Sequence, residues 1–273
     1  MAPAGPAPMV QYRERAPRPR LTHFLSIPIG HNEGLRNTVS AFTDALLKVT
    51  PAIPGLDASI VVPARRLHFT LGVMSLDLEP EASASVRGPA GRGPRTLEAA
   101  KALLRDVRPK IMALLGGETL RVSLDCLDIM KPENGDRARA HVMWVGPGEG
   151  ERLRKLEEVA KLVQDEFKTA GLLVDEDRPF KTHCTVLNTV YRKPALKWRF
   201  PFSYQSILVS DAMKAIRVRK DAVDPSELER GRRIPISIDL GECGVDEIQI
   251  CEMGSWGPEG EYVAVARESL TRA

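Results

Sequence analysis

Twice along the chain, at residues 67–71 (LHFTL) and 183–186 (HCTV), a histidine and a threonine two positions apart alternate with apolar neighbours. Alternate side chains of a β-strand share a face. Each segment is therefore a strand with an apolar face (Leu67, Phe69 and Leu71; Cys184 and Val186) and a face that carries an imidazole beside a hydroxyl. Each apolar face needs its own cover. A lone His-x-Thr carries little information, since a strand histidine is ordinarily satisfied at an edge or in the core. Twelve threonines in 273 residues place one at a fixed offset about 4% of the time, so two successes among five histidines is roughly a 2% accident. His23, His31 and His141 lack the threonine and read as ordinary strand or surface histidines.

The remaining chain supplies partners for these strands. Residues 22–30 (THFLSIPIG) read as a first strand, and Leu35, Val39, Phe42 and Leu46 recur at helical spacing until Pro51 and Pro54. A strand interrupted near Pro63 follows. Thr96 fits an N-cap for a helix to about Leu115, with Leu103, Leu104, Val107, Ile111 and Leu114 inward. Residues 118–130 and 139–146 alternate as a hairpin around KPENGD. Residues 150–169 form a helix with Leu153, Leu156, Val159, Val163 and Phe167 inward and Gly171 as its stop. Two strands, 246–253 and 261–268, close the chain. Each half thus holds a helix and a His-x-Thr strand. The expected fold is α+β and bilobal: two pseudo-symmetric lobes, antiparallel sheets facing a central cleft, helices outside. Residues 1–20 read as a disordered tail and 21–270 as one bilobal domain, with a low-complexity loop at 79–95 and a basic insert at 192–235.

Several function classes are disfavoured. Net charge is only +3, so any anion site is built locally. No apolar run is long enough for a membrane span, and the N-terminus lacks the apolar core of a secretory signal. The expected setting is cytoplasmic, nuclear or both. Cys126, Cys184, Cys243 and Cys251 show no C-x-x-C spacing and read as reduced core thiols. Zinc spacings, a G-x-S-x-G elbow and phosphate-cradling glycine loops are missing. No cofactor is expected.

If the two strands face each other, His68, Thr70, His183 and Thr185 converge. One neutral imidazole can take a proton from water or a ribose hydroxyl, and a protonated one can give a proton to a leaving oxygen. The hydroxyls can donate to non-bridging phosphate oxygens. That set suits metal-independent phosphodiester chemistry. Lys181, on the same face as His183 in a regular strand, is a candidate for steering phosphate, although a solvated strand end is the commoner role. Tyr191 and Trp198 are candidates for stacking a base, with packing equally plausible.

The paired segments HFTL (68–71) and HCTV (183–186) resemble the signature of the 2H phosphoesterases, the class that includes the 2',5' RNA ligase-like proteins. Within it they are most similar to the nuclear-localisation-signal domain of A-kinase anchoring proteins and its relative in the activating signal cointegrator complex. HFLSIPIG, LHFTLGVMSL, GLLVDEDRPFKTHCTVLNT and IQICEMGS support the likeness over roughly residues 21–268. The resemblance implies a bilobal fold and cleavage of RNA-type 2',5' linkages or 2',3'-cyclic phosphates. It makes His68 and His183 the acid–base pair, and Thr70 and Thr185 the phosphate holders. Relatives often carry proline before the second histidine, where this chain has Thr182. The expected partners are short RNA ends or small nucleotides, cyclic ones included, with no membrane and a monomeric state. Two alternatives stand beside this: a non-catalytic nucleotide- or RNA-binding or scaffolding module, and a phosphodiesterase of a non-RNA cyclic phosphate.

Overall fold

The computed structural model describes residues 19–77, 94–174, 181–218 and 235–271. The expected tail (1–20), the loop 79–95 and the later part of the 192–235 insert lie almost wholly outside the described residues. In chain order the elements are β1 (His23–Pro28), α1 (Glu33–Leu47), β2 (His68–Met74), α2 (Leu97–Leu115), β3 (Arg121–Ser123), β4 (Cys126–Ile129), β5 (Val142–Gly146), α3 (Glu151–Thr169), β6 (Cys184–Asn188), α4 (Tyr204–Leu208), β7 (Arg217–Val218), β8 (Ile236–Asp239), β9 (Glu242–Gly244), β10 (Glu247–Trp256) and β11 (Tyr262–Ser269).

Two antiparallel sheets carry the fold. The first runs β11-β10-β1-β2 and the second β6-β5-β4-β8-β7, with β3 and β9 forming a short separate pair. The expected α+β architecture is present, but the lobes are not halves of the sequence. The last two strands complete the sheet begun by the first two. Chain crossing also joins the lobes: α3 connects two strands of the second sheet yet packs on β2 of the first. The sheets meet where the Val62 amide donates to the Val186 carbonyl (2.9 Å) and Val61 bridges Leu187.

The helices form for local reasons and are held by burial. Asn32 accepts from the Leu35 amide (3.0 Å) to start α1, and Thr96 from the Ala99 amide (3.2 Å) to start α2. Leu35, Val39, Phe42 and Leu46 of α1 are buried, as are Leu104, Val107 and Ile111 of α2 and Leu156, Val159, Val163 and Phe167 of α3. Leu103 and Leu114 are only partly buried, because α2 turns Ala100 and Leu115 inward instead. α2 and α3 pack together outside the first sheet. Each fully buried Leu or Val contributes about 1.5–3 kcal/mol against exposure. One continuous core results, and all four cysteines are free and buried in or beside it.

One expectation is corrected, and two features are added. The strand at 118–130 is broken into β3 and β4, which join different partners: the Leu124 amide extends the β3–β9 pairing to the Gly241 carbonyl, and the Asp125 amide already donates to Gly146 of β5. Within the described part of the 192–235 insert, residues 193–200 are exposed, whereas Phe202, Tyr204, Ile207 and Ala212 are buried and the Tyr204 hydroxyl donates to the Leu127 carbonyl (3.3 Å). β8 and β9 lie where no strand was expected, although Ile236, Ile238 and Leu240 alternate as a half-buried strand should.

Candidate active site

The backbone of β2 alternates buried Leu67, Phe69 and Leu71 with His68 and Thr70, which face a cleft. β6 does the same with Cys184 and Val186 against His183 and Thr185. His68, Thr70, His183 and Thr185 all line that cleft, which has a volume of about 340 Å³.

Both imidazoles are oriented by the same local device. His68 Nδ1–H donates to the Arg66 carbonyl and His183 Nδ1–H to the Lys181 carbonyl, each two residues back and each at 2.7 Å. That bond fixes the tautomer and leaves Nε2 for chemistry. His68 Nε2 lies 3.0 Å from Thr70 Oγ1. Burial pushes the His68 pKa down to about 4, and the His183 imidazole nearby adds to the effect. His183 is also pushed down by burial, with the Lys181 ammonium acting in the same direction. An anionic phosphate opposes both shifts by favouring the charged rings.

The cleft wall beside His68 is aromatic. Phe24 and Tyr262 have ring centroids 5.3 and 5.1 Å from the imidazole, and Trp256 lies 5.0 Å from Tyr262. Burial and the neighbouring Tyr191 raise the Tyr262 phenol above its ordinary range. The guanidinium of Arg66 sits 3.5 Å from the Trp256 ring centroid, and its Nε donates to the Gly260 carbonyl (2.5 Å). Arg66 thus touches His68 through its backbone and the β10–β11 hairpin through its side chain.

Of the softer candidates, Tyr191 lines the cleft. The Lys181 ammonium is directed over the Trp144 ring, 4.1 Å from its centroid. Trp198 is 77% exposed and is not part of the cleft lining. Its segment runs along the surface, held by Arg192, which donates to the Gly55 (2.6 Å) and Phe200 (3.2 Å) carbonyls and pairs with Asp57. The three other histidines lie outside the cleft lining: His23 is buried, His31 faces Asp246 at 3.7 Å, and His141 bridges Glu133 and Thr189 at 2.7 and 2.9 Å. Phe24, Val62, Asn188, Met253, Trp256 and Tyr262 line the cleft without having been singled out from sequence. Asn188 and Trp256 had a usable signal, lying on or near expected strands. Phe24 had none, since a strand phenylalanine reads as core.

Among the described residues, no group of three or more His, Cys, Asp or Glu is placed to hold a metal ion, and no helix is long and apolar enough to cross a membrane. Two antiparallel sheets bringing two His-x-Thr strands to one cleft place the chain in the 2H phosphoesterase class. Residues 21–270 match the AKAP7 2'5' RNA ligase-like domain, and the chain belongs to that family. It is 27% identical over 182 residues to activating signal cointegrator 1 complex subunit 1 of Mus musculus, an alignment covering 67% of this chain and 45% of that protein. The chain therefore spans less than half of that relative. Solved structures with a similar fold include Escherichia coli LigT complexed with 3'-AMP (TM-score 0.46, 14% identity, 92% of this chain and 99% of that one). Another is a protein of Thermus thermophilus (TM-score 0.46, 18% identity, 91% of this chain and 97% of that one).

Proposed function

We propose that the chain is a metal-independent phosphodiesterase acting on RNA-type 2',5'-linked or 2',3'-cyclic phosphates, with His68 and His183 as the acid–base pair. The observation that supports this best is the convergence of both His-x-Thr pairs on one cleft, each imidazole with Nδ1 tied to a carbonyl. Burial holds the His68 pKa at about 4, so that ring is neutral across the physiological range and serves as base. His183 serves as acid once the substrate phosphate has raised its pKa. Nε2 of His68 takes the proton of the attacking water or ribose hydroxyl as that oxygen bonds to phosphorus. The bond from phosphorus to the leaving oxygen breaks, and protonated Nε2 of His183 gives that oxygen its proton. Thr70 and Thr185 donate to the non-bridging oxygens, where charge accumulates. Solvent exchange returns both rings to their starting states. Tyr262 and Trp256, backed by the buried Phe24, form an aromatic wall suited to a base, and the substrates are short RNA ends or small nucleotides. Residues 21–270 act as a single bilobal unit around this site.

The test is a product-resolved assay of 2',5'-linked oligoadenylate, 2',3'-cyclic nucleotides and 3'-ended RNA, with the wild type and the His68→Ala/His183→Ala double variant. Turnover of a 2',5'-linked or cyclic substrate that the double variant abolishes is the expected result. Absence of turnover, or turnover that survives in the double variant, rules the assignment out.

A further inference from the structure

A second, smaller pocket of about 170 Å³ lies on the other side of His68 and Tyr262, which line both it and the cleft. Its floor holds Ser26, Gln249 and Arg267, directly opposite one another across the first sheet in a row that Thr70 continues. Ser26 and Gln249 are 1% and 6% exposed, so their polar atoms need partners. Among the described residues, the Ser26 hydroxyl meets only the Cys251 thiol, at 3.5 Å. The Gln249 carbonyl oxygen accepts only from that same thiol, at 3.4 Å, while its amide nitrogen donates to Glu247 Oε1 at 2.5 Å. A thiol is a weak partner on both counts. One Gln249 N–H and most of the acceptor capacity of both residues remain unused. The pocket's charge is balanced: Arg65 pairs with Glu259 (2.8 Å), and Arg267 with Glu247 (2.7 Å). The unfilled capacity therefore suits a neutral group with both donors and acceptors, and not a second phosphate.

We propose that this pocket is a second subsite, which holds the nucleoside on the His68 side of the scissile phosphate in a linear diester. Ser26 and Gln249 hydrogen-bond its base, while the opposite nucleoside lies in the larger cleft, where Tyr191 is available to stack on it. The assignment rests on the phosphodiesterase function proposed above. It goes further by making Gln249 a determinant of specificity: one base is read by hydrogen bonds, the other by stacking.

The experiment compares kcat/KM for a dinucleotide, its two singly abasic analogues and a 2',3'-cyclic mononucleotide. The enzymes are the wild type, Gln249→Leu and the milder Ser26→Ala. In the wild type, loss of the base on the His68 side is expected to lower kcat/KM about ten-fold, the scale of a lost buried hydrogen bond. In Gln249→Leu that penalty shrinks toward one, while the penalty for the opposite base persists. Ser26→Ala reduces it part of the way. Penalties that stay the same in both variants overturn the proposal. So does an enzyme that opens the cyclic phosphate but cleaves no dinucleotide, although that outcome leaves the phosphodiesterase assignment intact. Turnover of none of the probes removes both.

Discussion

At the residue scale, the roles proposed for the two imidazoles lead to a definite pH dependence. In the mechanism proposed above, the free enzyme needs His68 neutral, hence a pH above about 4. It also needs His183 protonated, hence a pH below a value that burial holds under the ordinary 6.5 or so. The bell in kcat/KM is therefore expected to peak on the acid side of pH 6.5. A bound phosphate favours charged His183, so the alkaline limb of kcat should lie higher than that of kcat/KM. A kcat/KM profile still rising above pH 7 contradicts these roles. His68→Ala and His183→Ala should each lower turnover by roughly 10² to 10⁴. The double variant should be little worse than either, because the pair acts as a unit. Both imidazoles, and the residues flanking them, are legible in the sequence because the i, i+2 pattern of a strand is purely local. The aromatic wall is not, because the role of Phe24 depends on Tyr262, which lies 238 positions later and meets it only through sheet pairing.

At the element scale, the β10–β11 hairpin is more than an edge of the sheet. Its tip is held by Arg66 and carries Trp256 and Tyr262 to the cleft. Arg66→Ala should loosen that wall and raise KM several-fold, with a smaller change in kcat. The cation–π contact alone is worth about 0.5–2 kcal/mol. A steady-state KM unchanged in Arg66→Ala shows that the wall does not need the clamp. Helix α2 offers a contrast, since its cap lies far along the chain from either motif. Thr96→Ala removes the bond to the Ala99 amide and should cost about 1 kcal/mol in denaturant unfolding. Its kcat/KM should match that of the wild type. The three long helices and their buried faces follow from 3.6-residue periodicity, which is local. The break between β3 and β4 was hidden, because the switch of partner between Leu124, bonded to Gly241, and Asp125, bonded to Gly146 of β5, is set by distant segments.

At the scale of the whole molecule, neither lobe is a contiguous stretch of chain. The first sheet takes β1 and β2 from one end and β10 and β11 from the other, and α3 leaves the second sheet to pack on the first. Fragments 19–118 and 119–271 should therefore each fail to melt cooperatively, while the intact chain gives a single calorimetric transition. Two separate transitions would mean that the lobes are independent domains. The order of strands along the chain made two sheets legible, but strand pairing is non-local and their membership was not. β8 is hard to read locally because its apolar alternation sits behind a run of basic residues (RGRR) at positions 230–233.

The late arrival of β10 and β11 also bears on the order in which the protein is made. On the ribosome, both His-x-Thr strands emerge well before the hairpin that walls the cleft and completes the sheet under His68. A nascent chain stalled short of the hairpin carries both histidines but lacks Gln249, Trp256 and Tyr262. The two histidines proposed to be catalytic are thus synthesised long before they can be enclosed, and turnover is expected to begin only once the final strands have been translated and paired.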